Sequence, residues 1–169
     1  MNEISVVVPV YNQSANLPAN LLRMADALRL TGKSFEIIAV DDGSTDDTAD
    51  KIKRLASEDS RFRYAGYHLN AGRGKAIRTG LKAATGKYIL TIDCDLSYNE
   101  EYLPLMYHLL AENPEIDFVI GSPYMTAGRT ENVPLKRLII SKLGNIILSA
   151  AMKGKIRTST GVLRGYKSD

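Results

Sequence analysis

Cysteine is almost missing from this 169-residue chain: Cys94 is the only one. No internal disulfide can form, which fits a reducing compartment. With one cysteine and two histidines, a zinc site of the Cys/His kind has too few ligands to draw on. Long apolar runs are missing too. No stretch of roughly 18 or more apolar residues occurs, so nothing in the sequence reads as a membrane span. The apolar start lacks a preceding basic region and is broken at Pro9-Val10-Tyr11-Asn12, which excludes a signal peptide. Repeats and low-complexity segments are absent. Two nucleotide-binding signatures also fail. At Gly72-Arg73-Gly74-Lys75 the third glycine of a dinucleotide fingerprint is replaced by Ile77, and the turn follows the third strand rather than the first. A P-loop is excluded because Tyr88 follows Lys87 where Ser or Thr is needed.

What is present is an alternating α/β pattern. At 44% hydrophobic residues, 169 residues suffice for one domain with a sizeable core. Strands are expected at 4–8, 35–40, 61–67, 88–92 and 117–121, with helices at 16–30, 47–57, 75–84 and from Asn99 to about Asn113-Pro114. This alternation predicts a mostly parallel sheet with helices on both faces. Past Gly121 the pattern changes. A Gly-, Pro- and Thr-rich stretch leads to Leu135, Leu138, Ile139, Leu143, Ile146 and Ile147 at helical spacing, and a last strand is expected within 156–166.

Charge is unevenly spread. From Gly128 onward nine basic residues face two acidic ones, a surplus of seven, so residues 1–127 carry −4 of the chain's +3. An anionic partner for the basic end follows. Interleaved aromatics suited to nucleic acid are lacking there, and the apolar periodicity fits a membrane surface better. The expected division is a core at 1–127 and, within the same domain, a segment at 128–169 carrying an amphipathic helix.

Two acidic clusters carry the chemistry: Asp41-Asp42-Gly43-Ser44-Thr45-Asp46 and Asp93-Cys94-Asp95-Leu96-Ser97. Each follows a β-like run and so sits at the carboxyl edge of a parallel sheet, where open α/β folds bind ligands. Crowded carboxylates call for a hard divalent cation with oxygen ligands. If 93–95 stay extended, Asp93 and Asp95 share one face and Cys94 points away. The plainer alternative is a turn capped by Asp95 or Ser97. For Asp41 and Asp42 the alternatives are hydrogen bonds to a base or ribose, or helix capping through Ser44 and Asp47. Arg73, on a basic turn at a helix start, suits a diphosphate, or is a solvated loop charge. Cys94, between two carboxylates, is a small buried residue rather than a nucleophile.

The segments Ser5-Val6-Val7-Val8-Pro9-Val10-Tyr11-Asn12, Glu36 to Asp46, Asn70-Ala71-Gly72-Arg73-Gly74-Lys75-Ala76 and Asp93-Cys94-Asp95-Leu96-Ser97 together resemble family 2 glycosyltransferases with the GT-A fold. Pro134-Leu135-Lys136-Arg137, Ser141 and Asn145 resemble the dolichyl- or polyprenyl-phosphate mannose synthase branch. The resemblance implies a GT-A, Rossmann-like sheet, truncated at its C-terminal end. It implies a nucleoside site of Pro9, Tyr11, Asp41 and Asp42, with Arg73 and Asp93 toward the diphosphate. A Mg2+ or Mn2+ ion would be held by Asp93 and Asp95 with help from Ser97, and Asp95 and Arg137 would act in catalysis. Gln13 stands where the family usually has Glu, and Pro123 where close relatives have Arg.

The leading expectation is an inverting transferase that moves a sugar from a GDP- or UDP-linked donor to a polyprenyl phosphate. It would be cytoplasmic and peripheral at the cytoplasmic face of a membrane. A saccharide or protein acceptor, and a catalytically silent membrane-associated nucleotide-binding module, are the alternatives. Nucleic acid is not expected as a partner.

Overall fold

The computed structural model describes residues 2–121 and 161–168. Its centre is set by two strands with no exposed residue. β1 (Ile4–Val10) and β2 (Phe35–Asp42) are buried along their whole length, as strands covered on both faces are. They pair in parallel from Ile4↔Phe35 to Val10↔Asp41. β3 (Phe62–Tyr67) joins β2 in parallel, and β4 (Tyr88–Thr91) joins the other side of β1, also in parallel. β6 (Arg164–Lys167) runs antiparallel to β4, with β5 (Phe118–Ile120) beyond it, giving the order β3-β2-β1-β4-β6-β5. The expected mostly parallel α/β sheet is therefore observed.

Strand alternation sorts the core into two layers. Val7, Ile38 and Val40 point to one face and pack on Ala76 of α3 (Arg73–Ala83). On this face Gly80 lets α3 approach closely, since a Cβ there would strike Val7 and Val40. Val6, Val8, Ile37 and Ala39 point the other way and are also fully buried. There α1 (Leu17–Arg29) packs against α2 (Thr48–Glu58) and α4 (Tyr102–Glu112). α1 opens with Pro18 in its first turn, where a missing N–H costs nothing. It buries Leu17, Leu21, Met24, Ala25 and Leu28, the stripe its spacing predicts.

Two local expectations need correction. β2 runs on to Asp42, past the apolar run that ends at Val40, because its ladders with β1 and β3 continue through Asp41 and Asp42. And 93–95 are not extended. β4 stops at Thr91; Leu96 N–H then returns to the Asp93 carbonyl at 3.4 Å, and Leu96 takes φ +54°. The Ser97 N–H donates to Asp95 Oδ1 at 3.0 Å, the side-chain turn that aspartate favours.

The chain forms two compact units, Met1–Val119 with Arg164–Asp169, and Ile120–Leu163. In the second, the Gly121 N–H donates to the Leu163 carbonyl at 2.9 Å, and the absent Cβ of Gly121 leaves room for the Leu163 side chain. The boundary expected at 127–128, the apolar stripe from Leu135 to Ile147, and Pro123, Arg137, Ser141 and Asn145 lie outside the described residues.

The topology positions a site. From β1 the chain moves outward through β2 and β3, then returns past β1 to β4. The strand order thus reverses beside β1, and the carboxyl ends of β1 and β4 flank the crevice where ligands bind in such sheets.

Candidate active site

At that edge Pro9, Val10, Tyr11, Asp42 and Arg73 line one open cleft. Pro9 and Val10 end β1; Tyr11, the next residue, is 44% exposed, so its ring is available to a ligand. The backbone behind it is fastened to the β2–α2 loop. Asn12, at φ +49°, donates its N–H to Ser44 Oγ at 2.9 Å and accepts the Thr45 N–H on Oδ1 at 2.9 Å. The Gln13 N–H reaches Thr48 Oγ1 at 3.0 Å, and Lys51 Nζ the Ser14 carbonyl at 3.0 Å.

Asp41 and Asp42 are both buried, but they diverge. Because the strand continues through both, its period of two turns them to opposite faces. Asp42 faces the α3 side and stands in the cleft wall. Its Oδ1 accepts the Tyr67 hydroxyl at 2.5 Å and the Ala71 N–H at 3.0 Å, and its Oδ2 accepts the Asn70 amide at 3.2 Å. Asp41 accepts the Ser44 N–H at 3.0 Å and closes the turn at Gly43. The helix-capping expectation for Ser44 and Asp47 is not met: Asp47 makes no capping bond, Ser44 is engaged with Asn12, and Asp46 Oδ1 receives the Thr48 N–H instead.

Across the cleft, the turn after β4 presents Asp93, Asp95 and Ser97, with Asp95 and Ser97 exposed. Arg73 Nη1 lies 3.8 Å from Asp93 Oδ1, which brings the start of α3 up to this turn. Two anchors from α1 hold this turn. Asn20 donates to the Cys94 carbonyl at 2.9 Å, and Arg23 makes a bidentate pair with Glu100 at 2.9 and 3.0 Å. The burial expected for Cys94 is only partial. Burial, then the charges of Asp95 and Asp93, push its thiol up to about 12, so the thiolate a nucleophile needs is suppressed.

Asp93, Asp95 and Ser97 offer hard oxygen donors of the kind a divalent cation takes. Among the described residues no group of three or more His, Cys, Asp or Glu side chains could enclose an ion. Two carboxylates with hard oxygens and open positions are what Mg2+ or a similar ion uses when substrate phosphates complete its shell. Tyr67, Asn70, Asn12, Asn20 and Arg23 were not singled out by sequence reasoning. Asn12 and Asn70 lie in quoted motifs; Tyr67, Asn20 and Arg23 carry no local signal, because their partners are distant in the chain.

Comparison with known proteins bears on this geometry. A family model described as glycosyl transferase family 2 matches residues 5–169. A dolichol-phosphate mannosyltransferase from Pyrococcus furiosus is 32% identical over 97% of this chain and 45% of its own length. An undecaprenyl-phosphate 4-deoxy-4-formamido-L-arabinose transferase from Yersinia pestis is 30% identical over 99% of this chain and 49% of its own. The chain thus spans about half the length of these curated relatives. Among solved structures, glucosyl-3-phosphoglycerate synthase from Mycobacterium tuberculosis, in complex with Mn2+, UDP and phosphoglyceric acid, superposes with a TM-score of 0.73 at 22% identity, covering 99% of this chain and 56% of that one. A mannosyltransferase from Pyrobaculum calidifontis in complex with GDP-mannose and Mn2+ gives 0.65 at 19%, covering 98% and 44%. These likenesses concern the fold, which is GT-A.

Proposed function

Since this chain belongs to glycosyl transferase family 2, we propose that it is an inverting transferase moving a sugar from a GDP- or UDP-linked donor to a polyprenyl phosphate. The observation that carries the reading is the meeting, at the carboxyl ends of β1, β2 and β4, of an exposed aromatic, an arginine and two carboxylates around one cleft. The lipid-phosphate acceptor is supported by the two relatives, whose names both carry a polyprenyl phosphate. A metal ion is supported by the Mn2+ in the two solved structures.

In this reading Pro9, Tyr11, Asp41 and Asp42 line the nucleoside pocket, with Val10 in the cleft wall and the Tyr11 ring against the base, and Asp41 also keeps the neighbouring turn closed. Arg73 presents a planar fork of donors to the diphosphate oxygens. Asp93 and Asp95, with Ser97 beside them, hold Mg2+ or Mn2+, which when bound neutralises charge developing on the departing diphosphate. A phosphate oxygen is already ionised at neutral pH, so the acceptor needs no general base. Arg137, in the basic segment, pairs with the acceptor phosphate. The same segment's surplus of positive charge draws the protein to an anionic membrane surface, at the cytoplasmic face.

Thermal-shift measurements with UDP and GDP, with and without Mn2+, test the donor site, and transfer to a polyprenyl phosphate tests the acceptor. Stabilisation by one nucleotide only when Mn2+ is present is expected. Asp95→Asn should abolish transfer while leaving the melting temperature of the ligand-free protein within about 2 °C, since it removes one exposed charge. Full transfer by Asp95→Asn in EDTA would end the metal-dependent reading.

A further inference from the structure

We propose that Asp42 is a positioning residue: it clasps the segment between β3 and α3 and thereby holds Arg73 over the cleft, facing Asp93. The ligand that Arg73 meets rests on the nucleotide reading above; the clasp does not.

Three separate contacts support it. First, the Asp42 carboxylate is 4% exposed, and Tyr67, Asn70 and Ala71 all donate to it. A carboxylate offers about four acceptor positions, so most of this one is spent on a single short stretch of its own chain. Second, Gly43, the residue after Asp42, has φ +73°, and a Cβ there would lie 2.5 Å from the Asn70 nitrogen and 2.7 Å from the Leu69 carbonyl carbon. The two loop backbones touch. Third, Lys75 Nζ lies 4.3 Å from the centre of the Tyr67 ring, which ties the first turn of α3 back to the same tyrosine.

Arg73 sits between these fixed points as the first residue of α3. Its side chain is 54% exposed, and its approach to Asp93 at 3.8 Å is too long for a tight hydrogen bond. The backbone is therefore fixed while the guanidinium keeps capacity for a ligand. A segment fixed in advance does not have to be ordered at binding, and that raises affinity without any new contact. Burial first, and then the bond to Asp42, push the Tyr67 hydroxyl up to about 12, so it remains a donor across the neutral range.

Tyr67→Phe tests the clasp without altering a residue of the cleft lining. In the ligand-free protein, amide exchange over residues 70–75 should accelerate by about tenfold, while β1 and β2 stay protected; that factor corresponds to losing one hydrogen bond to a charged group. Asn70→Ala, which removes a different donor, should loosen the same residues and serves if Tyr67→Phe does not fold. Calorimetry with UDP and with GDP in Mn2+ gives the second readout. Tyr67→Phe should weaken binding by about tenfold in the otherwise unchanged protein, and not further in an Arg73→Ala background. A loss of stability alone would not produce that dependence on Arg73. Unchanged exchange over 70–75 in both variants overturns the clasp, and an equal loss of affinity in the Arg73→Ala background overturns its action through Arg73. If the unaltered protein binds neither UDP nor GDP, the nucleotide reading fails, and the exchange result alone decides the clasp.

Discussion

Glu36 is the most heavily engaged buried acid outside the cleft. It sits 2% exposed near the start of β2 and accepts from Ser5 Oγ at 2.6 Å, Thr85 N–H at 2.8 Å, Thr85 Oγ1 at 2.7 Å and Arg63 Nη1 at 2.5 Å. Burial works to raise its carboxyl, but the bonds from Ser5, Arg63 and Thr85 outweigh it and hold the group below its ordinary value. The sign of the linkage follows. A depressed carboxylate contributes fully above the unfolded value near 4.3, and that contribution is lost as pH falls through the lower folded value. Glu36→Gln should therefore cost about 1–3 kcal/mol at pH 7 and less below pH ~4. Urea unfolding between pH 7 and 3 measures it; a pH-independent difference between the two proteins would show that the charge at Glu36 is not what the network uses. At this same scale Asp41 and Asp42, adjacent in sequence, have different tasks, and Cys94 has a chemistry its neighbours predict.

Among the elements, α3 shows how one small residue sets a packing distance. It packs against β1, β2 and β3, and its closest approach is at Gly80, where a methyl group would meet the Val7 side chain and lie 3.0 Å from Val40 Cγ2. Alanine is the better helix former by roughly 1 kcal/mol, yet crowding a packed core costs typically about 1–3 kcal/mol. Gly80→Ala should thus be net destabilising, with a lower urea midpoint. Val7→Ala in the same chain should recover part of the loss by making room. An additive loss in the double variant would mean that α3 shifts bodily instead. Because α3 begins with Arg73, such a shift would also be read in nucleotide affinity. The acidic turn after β4 gets its support from another element: Asn20 and Arg23 of α1 hold it at Cys94 and Glu100.

For the molecule as a whole, negative and positive charge are separated along the chain. No helix among the described residues is long and apolar enough to cross a membrane. Residues from Gly128 onward carry a surplus of seven positive charges, against −4 for the rest. Each basic residue near an anionic surface is worth about 1 kcal/mol at most, and salt screens it. Binding to vesicles containing phosphatidylserine should be measurable by sedimentation and should fall steeply between 50 and 300 mM salt, on the order of the change in screening length. Lys136→Glu/Lys142→Glu should weaken it about tenfold or more. Equal partitioning of the two proteins would remove the membrane surface from the proposed partners.

What the sequence decided alone is whatever its local patterns encode. A continuous, mostly β-branched run marked β1, and short apolar runs marked β2 and β4. Helical spacing of Leu17, Leu21, Met24 and Leu28 marked α1, and each acidic cluster was placed where an apolar run ends. Four motifs in order were enough for family and fold. Tertiary structure decided what depends on partners far away in the chain. The ladders to β1 and β3 carried β2 beyond its apolar run to Asp42, which turned two neighbouring carboxylates to opposite faces of the sheet. Past β4, the return of Leu96 to Asp93 made a turn where alternation alone would have left an extended strand. The donors that secure the site, Tyr67 and Asn70 on Asp42 and Asn20 on Cys94, come from 25, 28 and 74 residues away. Hydrogen bonds over such separations leave no periodic trace in the sequence, since only the folded sheet brings their ends together.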